Sequence, residues 1–148
     1  IADEPTTALD VSVQSQIIDV LKRMCAEHGT AVILITHDMG VIAEAADRVA
    51  VLYSGRIAEI GPVREVIKQA KHPYTKGLMR SIPTLTQTND RLTQIPGTMP
   101  RITDRPEGCA FAPRCGHVMD ICRSQQPATR SVGNCEVACH LETEGGAS

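Results

Sequence analysis

Hydrophobic residues in the first 80 positions follow two patterns, short unbroken aliphatic runs and longer stretches with helical spacing. The run at 31–36 has no polar alternation, which is typical of a strand covered on both faces in a parallel sheet. A helix that Asp10 or Ser12 can cap and Gly29 can end is predicted before this run. Its apolar stripe consists of Val13, Ile17, Val20, Leu21 and Met24.

The following segment continues the alternation of helices and strands. A helix is predicted over 38–46, and its inward residues are Val41, Ile42 and Ala45. Two strands are predicted over 48–53 and 56–60, joined by the two-residue turn Ser54-Gly55. Strands that alternate with helices in this way predict an α/β fold with a parallel sheet.

Composition divides the chain into four parts. Residues 1–82 contain one cysteine, and residues 106–141 contain the other five. Residues 83–105 are rich in Thr, Pro and Gly, which indicates a linker, and residues 142–148 form a short acidic tail. We therefore expect an incomplete α/β domain, a linker, a small loop-dominated Cys-rich extension and a disordered tail.

Charge and composition exclude several classes of protein. Of the 148 residues, 42% are apolar and 22% are charged, which is ordinary for a folded domain. A formal net charge of −2 leaves no basic surplus for a nucleic-acid backbone, so we expect no nucleic-acid partner. Every clean apolar run is far shorter than the roughly 20 residues that cross a bilayer. With no Trp, one Phe and two Tyr, the core is predicted to be aliphatic.

The first five residues combine an apolar pair with two carboxylates and a proline. This order is typical of the end of a buried strand, and we expect the chain to be a fragment cut within that strand. At such a strand end in an α/β sheet, one carboxylate can hold Mg²⁺ through its water shell, and a second beside it can orient or deprotonate the water that attacks a γ-phosphate. Pro5 turns the chain away at once, so the two side chains can serve different roles.

A histidine follows the next predicted strand. His37 lies one helical crossover downstream of the acidic pair. Because neighbouring parallel strands end at one edge of a sheet, Asp3, Glu4 and His37 are predicted to meet there. His37 could then hydrogen-bond a γ-phosphate. The alternative is a histidine that merely lies beside a helix start and has no such task.

These segments resemble ATP-binding-cassette (ABC) ATPases, which have the P-loop NTPase fold. Residues 1–5 resemble the end of the Walker B motif, residues 7–10 the D-loop, and residues 35–38 the switch-histidine segment. The resemblance implies that Asp3 binds Mg-ATP, that Glu4 is the general base, and that His37 contacts the γ-phosphate. It also implies that Asp10 reaches across an ATPase dimer toward the opposite site.

Two further stretches narrow the resemblance to the ATPase subunits of dipeptide, oligopeptide and nickel importers. They are residues 6–14 and the segment His72-Pro73-Tyr74-Thr75, and the similarity extends to about residue 141. The resemblance implies peptide uptake by a second ATPase subunit, two membrane-spanning permease subunits and an extracytoplasmic solute-binding protein. It also implies a peripheral location on the cytoplasmic face of the cell membrane. A nickel importer and a metal-binding interaction module without ATPase activity are alternatives.

Other parts of an ABC ATPase do not occur in the sequence. It contains no G-x-x-x-x-G-K-[ST] phosphate loop, no glutamine loop and no Leu-Ser-Gly-Gly-Gln signature. In the family that the chain resembles, ATP lies between the phosphate loop of one subunit and the signature of the other. We therefore expect the 148-residue chain alone neither to bind ATP tightly nor to hydrolyse it.

Five cysteines lie in the last part of the chain, the first three with the spacing C-x5-C-x6-C. An ATPase that works inside the cell keeps its thiols reduced, which disfavours disulfides. Four thiolates suit either tetrahedral zinc or a [4Fe–4S] cluster, and the spacing alone does not decide between them. The peptide-importer ATPases carry a similar Gly-Cys-x-Phe-x-x-Arg-Cys run, and some of them hold a [4Fe–4S] cluster. That resemblance implies the ligands Cys109, Cys115, Cys122 and Cys139.

The remaining thiols and imidazoles have less defined roles. Cys135 departs from the family pattern, and it is either a spare thiol or a replacement for Cys139 as the fourth ligand. His117 and His140 are expected at the surface or behind the ligands, and Cys25 as a small buried hydrophobe. A module of about 35 residues buries little surface, so metal–thiolate bonds are expected to hold it together. Redox sensing of transport is the alternative role for the cluster.

Overall fold

The computed structural model describes residues 1–82 and 94–142, and it divides into two compact units, Ile1–Asp47 and Arg48–Ser148. Both units mix helices with short strands, which confirms the α/β class. The P-loop architecture stays a prediction. Among the described residues, no helix combines the length and hydropathy needed to cross a membrane.

The first unit contains two short parallel strands and two helices. Strand β1, Ala2–Asp3, pairs in parallel with β2, Leu34–Ile35. Helices α1, Val11–His28, and α2, Met39–Ala45, follow the two strands. The predicted strand at 31–36 was too long. In the described part of the chain, this run pairs only with β1, which is two residues long. Ile33 is 63% exposed, so this run is not covered on both faces here.

Helix α1 has the predicted ends but a different buried face. The Asp10 carboxylate accepts a hydrogen bond from the Val13 N–H at 2.9 Å, and Gly29 ends the helix with a left-handed φ of 62°. The buried residue is Ile18, whereas Val20 and Met24 of the predicted stripe are 42% and 46% exposed. That stripe was therefore wrong in part, since only Val13, Ile17 and Leu21 of its residues are half-buried.

The second unit is built on an antiparallel sheet. The predicted hairpin is confirmed: β3, Arg48–Tyr53, and β4, Arg56–Pro62, flank a turn in which both Ser54 and Gly55 have positive φ. Helices α3, Val63–Lys68, and α4, Pro73–Arg80, follow. The cysteine region adds α5, Asp120–Ser124, β5, Arg130–Val132, and β6, Cys135–Val137, besides two short 3₁₀ helices, Ile102–Asp104 and Ala112–Arg114.

Strand order in this sheet is β3-β4-β6-β5, with every pairing antiparallel. Among the described residues, the parallel sheet predicted from the sequence is thus limited to β1 and β2, and the extension adds two short strands to the antiparallel sheet although most of it is loop. Because β4 pairs with β6, the structural division falls at Asp47 rather than near residue 82. The predicted functional domains 1–82 and 106–141 remain predictions. The first part of the predicted linker, 83–93, and the tail beyond 142 lie outside the described residues.

The core of the second unit gathers every aromatic residue of the chain. The ring of Tyr53 lies 4.6 Å from Tyr74 and 5.2 Å from Phe111, centroid to centroid, in edge-to-face arrangements. Arg114 donates to the Tyr53 hydroxyl at 3.2 Å and to the carbonyl oxygens of Ile95 and Pro96. The prediction of an aliphatic core holds for most buried residues of this unit, such as Val51, Val66 and Val137, but it missed the cluster in which the three aromatic rings meet.

We expect Phe111→Ala to destabilise the second unit by about 3–5 kcal/mol, because Phe111 is 4% exposed and contacts both tyrosines. Leu52→Ala is the matched control, since Leu52 is 57% exposed and its replacement is expected to cost about 0.5 kcal/mol or less. Urea unfolding followed by tyrosine fluorescence measures this unit selectively, as both tyrosines lie in it. Equal free energies of unfolding for the two variants would contradict the aromatic core.

Candidate functional site

In the first unit, an acidic residue and a histidine meet at the carboxyl ends of β1 and β2. The Glu4 N–H donates to the Ile35 carbonyl at 2.8 Å, which continues the parallel ladder by one residue. The Nδ1 atom of His37 lies 2.8 Å from Oε1 of Glu4. Glu4 has a φ of 47°, a left-handed conformation that turns the chain immediately after the strand, as predicted from Pro5.

A third residue, Thr7, completes this contact. Its hydroxyl donates to Oε2 of Glu4 at 2.7 Å, so each carboxylate oxygen has one partner. The Thr7 hydroxyl and the His37 imidazole lower the pKa of Glu4, and the Glu4 carboxylate raises the pKa of His37. No role was predicted for the Thr7 side chain. Its position three residues after Glu4 is the feature of the sequence that could have indicated this hydrogen bond.

The other two predicted residues of this site lie apart from the pair. Asp3 is the last residue of β1, opposite Ile35, and is exposed. Asp10 caps α1 within its own chain. The structure therefore brings Glu4 and His37 into contact, leaves Asp3 on the same strand end, and holds Asp10 at a helix start. The roles that the resemblance implies for these residues are not tested by this arrangement.

His37 itself is fixed between a strand and a helix. Asp38, the next residue, caps α2 by accepting hydrogen bonds from the N–H groups of Gly40 and Val41 at 2.8 and 3.2 Å. Its own N–H donates to the Thr36 hydroxyl at 3.1 Å. The backbone on both sides of His37 is thus held, whereas the imidazole is 84% exposed. An exposed ring on a held backbone remains available to a ligand.

In the second unit, four of the five clustered cysteines line one cavity, which also includes His72 and Phe111. The four are Cys109, Cys115, Cys122 and Cys139. Cys135 lies elsewhere: its Sγ is 3.9 Å from a Glu65 carboxylate oxygen, and a Cβ added at Gly61 would overlap it. All six cysteines are free thiols. Within 1–82 and 94–142, no group of three or more His, Cys, Asp or Glu side chains converges closely enough to hold a metal ion.

Backbone N–H groups surround the sulfur atoms of this cavity. The His117 N–H lies 3.4 Å from Sγ of Cys115, the N–H groups of Phe111 and Ala112 face Cys109, and that of Leu141 faces Cys139. Such donors favour a thiolate over a thiol. Burial has the opposite and larger effect, and it raises the pKa of both Cys109 and Cys139. Cys109 and Cys139 are thus held as neutral thiols, although backbone N–H groups are directed at them.

Close backbone contact brings two cysteine-bearing segments together. The Cys109 N–H donates to the Cys122 carbonyl at 2.8 Å. A Cβ at Gly108 would overlap that carbonyl oxygen, so only glycine fits before Cys109. The Gly-Cys pair in the sequence motif therefore has a steric cause.

A buried imidazole lies beside these thiols. His72 is 3% exposed, and its Nδ1 accepts a hydrogen bond from the Tyr74 N–H at 3.0 Å. Burial, assisted by the charge of Lys76, lowers the pKa of His72 to about 4. In the sequence, His72 was recognised only as part of a family motif. Nothing in the sequence around His72 indicates that it lies beside the cysteines, which are far from it along the chain.

Comparison with known proteins shows what this chain resembles. Residues 58–122 match the family described as "Oligopeptide/dipeptide transporter, C-terminal region". The chain as a whole is homologous to ATP-binding proteins of peptide transporters, which confirms the resemblance seen in the sequence.

Three relatives illustrate the similarity. The oligopeptide transport ATP-binding protein AppD of Bacillus subtilis is 46% identical over 99% of this chain and 45% of its own length. The dipeptide transport ATP-binding proteins DppD of Haemophilus influenzae and Escherichia coli are 43% and 44% identical over 95% and 86% of this chain, and 42% and 39% of theirs. The chain spans less than half the length of these relatives.

We expect the pKa of His37 to fall in Glu4→Gln, because the carboxylate that raises it is lost. Glu4 contributes stability that is lost as pH falls through its lowered pKa, and His37 contributes stability that is lost as pH rises through its raised pKa. The ion pair therefore contributes fully between the ordinary values of about 4.5 and 6.5. Proton NMR titration of the His37 ring measures the change. Asp3→Asn is the control, and an equal shift there would contradict the direct contact.

Proposed function

We propose that this chain is part of the ATP-hydrolysing subunit of an ABC importer that takes up oligopeptides or dipeptides. The contact between Glu4 and His37 carries the proposal, because it joins a carboxylate and an imidazole at the ends of two parallel strands. Homology to peptide-transport ATP-binding proteins over most of the chain supports it independently.

In this proposal Glu4 is the general base for the water that attacks the γ-phosphate. Thr7 and His37 hold the two oxygens of the carboxylate, so its orientation is fixed before any substrate binds. The carboxylate is ionised at neutral pH and can accept a proton, and the two hydrogen bonds, which lower its pKa, stabilise that charged form. Asp3, the residue before Glu4 at the end of β1, is exposed, and we assign it to the binding of the Mg²⁺ that accompanies ATP.

His37 has a second task in this proposal. Its ring is largely exposed, and Nδ1 donates to the Glu4 carboxylate, so Nε2 can donate to a γ-phosphate oxygen when the imidazole is protonated, the form that the raised pKa of His37 favours. Asp10 is assigned to the contact with the opposite ATPase subunit. Since its carboxylate caps α1, that contact would compete with the hydrogen bond from the Val13 N–H.

The assembly that follows from this function comprises a second ATPase subunit, two permease subunits and an extracytoplasmic solute-binding protein. The chain would work at the cytoplasmic face of the membrane as a peripheral subunit. A nickel importer would share every residue of the site, because solute selection in such importers belongs to the other subunits.

We expect Glu4→Gln in the full-length protein to retain ATP and to lose at least about 100-fold in turnover, since general-base catalysis contributes that much or more. His37→Gln should also reduce turnover. Asp47→Asn, an exposed site outside the Glu4–His37 contact, is the control and should hydrolyse ATP normally. Assays of ATP binding and phosphate release distinguish the outcomes. Unchanged hydrolysis in Glu4→Gln would refute the proposal and favour a metal-binding module without ATPase activity.

We also propose that the four cysteines of the cavity hold a [4Fe–4S] cluster, with tetrahedral zinc as the alternative. Their shared cavity and the backbone N–H groups that face Cys109, Cys115 and Cys139 support this ligand set, although the four side chains do not converge in the present arrangement. Four thiolates are the donors that both metals take. The metal would join separate segments of the chain, and its binding would release the protons of Cys109 and Cys139, whose pKa is raised.

We expect each of the variants Cys109→Ser, Cys115→Ser, Cys122→Ser and Cys139→Ser to lose most bound iron. Cys135→Ser should keep the wild-type amount, because Cys135 lies outside the cavity. Iron and zinc analysis with optical spectra after anaerobic purification gives the answer. A colourless wild-type protein with one zinc would establish the alternative, and loss of metal in Cys135→Ser would contradict the ligand set.

A further inference from the structure

Residues 6–14 lead from the strand end at Glu4 into helix α1, and the proposed function uses only Thr7 and Asp10 of this stretch. Gln14, on α1, reaches back to the segment that precedes the helix. Its Nε2 atom donates to the Thr6 carbonyl at 3.1 Å and to the Leu9 carbonyl at 3.2 Å. Both hydrogens of the amide nitrogen are thus used on one short segment, residues 6–9.

The two acceptors determine how the Gln14 amide is oriented. A glutamine amide has an oxygen that only accepts hydrogen bonds and a nitrogen that only donates them. With two carbonyl oxygens in front of it, the nitrogen makes favourable contacts, whereas the oxygen would be repelled in the reversed orientation. The contact therefore joins the two ends of residues 6–9, and we call it the Gln14 clamp.

The clamped segment has a backbone that needs such support. Ala8 has a φ of 63°, in the left-handed region that a residue with a side chain adopts rarely. The turn hydrogen bond across it, from the Leu9 N–H to the Thr6 carbonyl, is long at 3.3 Å. A residue in this conformation persists when its surroundings hold it, and the Gln14 clamp holds the segment on both sides of Ala8.

The same segment carries the hydroxyl that contacts the proposed general base. Thr7 lies between the two clamped carbonyls, and its hydroxyl donates to Oε2 of Glu4 at 2.7 Å. The Thr7 N–H also donates to the Glu4 carbonyl at 3.2 Å. A displacement of residues 6–9 would therefore move the hydroxyl relative to the carboxylate that it orients.

We propose that Gln14 is a positioning residue for the general base, whose amide holds residues 6–9 so that the Thr7 hydroxyl reaches the Glu4 carboxylate. This inference rests on the proposed function, and it extends the site to a side chain on helix α1. Gln14 acts through Thr7, because both of its N–H donors are used on backbone carbonyls. A base that is aimed before the substrate binds loses less of its rate to reorientation.

The test removes the amide and keeps the helix, in the full-length protein. Gln14→Met has no donors, a side chain of similar length and a high preference for helices. We expect kcat for ATP hydrolysis to fall about tenfold with the KM for ATP unchanged, because a small displacement of a catalytic group is costly. Gln16→Met is the matched control, since Gln16 is exposed on the same helix, and it should hydrolyse ATP at the wild-type rate. Equal kinetics of the two variants would overturn the role of Gln14.

A double variant tests whether Gln14 acts through Thr7. Thr7→Val removes the hydroxyl and keeps the shape of the side chain. If the amide works by placing that hydroxyl, adding Gln14→Met to Thr7→Val should lower kcat no further. A merely structural role would instead multiply the two losses or raise the KM for ATP, and either result would overturn the proposal.

Glu4→Gln separates this inference from the proposed function. Lost turnover in Glu4→Gln together with wild-type kinetics in Gln14→Met would overturn the role of Gln14 alone. Normal turnover in Glu4→Gln would overturn the general base and this inference together.

A measurement on the unmutated residue covers the case in which a Gln14 variant does not fold. In NMR spectra of the wild-type 148-residue chain, the side-chain amide protons of Gln14 should exchange with water several-fold more slowly than those of Gln16, because both are hydrogen-bonded. Equal exchange rates would overturn the Gln14 clamp and with it the proposal.

Discussion

The pairing of β4 with β6 is the contact on which the second unit depends. Glu59 and Ile60 lie opposite Val137 and Glu136, and the Ala138 N–H continues the ladder to the Ala58 carbonyl at 2.9 Å. This pairing joins parts of the chain almost eighty residues apart, and loop closure over that distance costs entropy that local contacts do not repay. The aromatic core of Tyr53, Tyr74 and Phe111 supplies apolar burial that offsets this cost.

Glu59 couples this sheet to the histidine beside the cavity. A fully buried carboxylate is tolerated only when its oxygens are satisfied, and here three hydrogen bonds from two backbone N–H groups meet that need. Those N–H groups belong to the turn that leads into α4. The sheet consequently fixes the start of α4, and with it the orientation of His72. Because Glu59 accepts the His72 N–H directly, a shift of β4 would move His72, which borders the cysteine cavity.

Sequence patterns predicted local structure well and long-range structure poorly. The cap at Asp10, the end at Gly29 and the turn at Ser54-Gly55 each follow from one or two residues whose backbone or side-chain chemistry is decisive. The meeting of Glu4 with His37 followed from a general rule about parallel strands. By contrast, β6 and its pairing with β4 were missed, because three residues carry too little periodicity to identify a strand. The aromatic core was missed as well, since a low aromatic content does not reveal that the few rings converge.

The Glu4–His37 pair of the first unit is exposed, whereas Glu59 and His72 of the second unit are buried. Glu4 and His37 are joined by one exposed contact, and screening by water makes such a contact weak. The left-handed backbone at Glu4 and the cap at Asp38 hold the two residues in place whether or not the side chains touch. The geometry is thus carried by the backbone, and the side chains can exchange their mutual hydrogen bond for one to a ligand at little cost. A general base needs this combination, because its carboxylate must be aimed in advance and yet be free to take a proton.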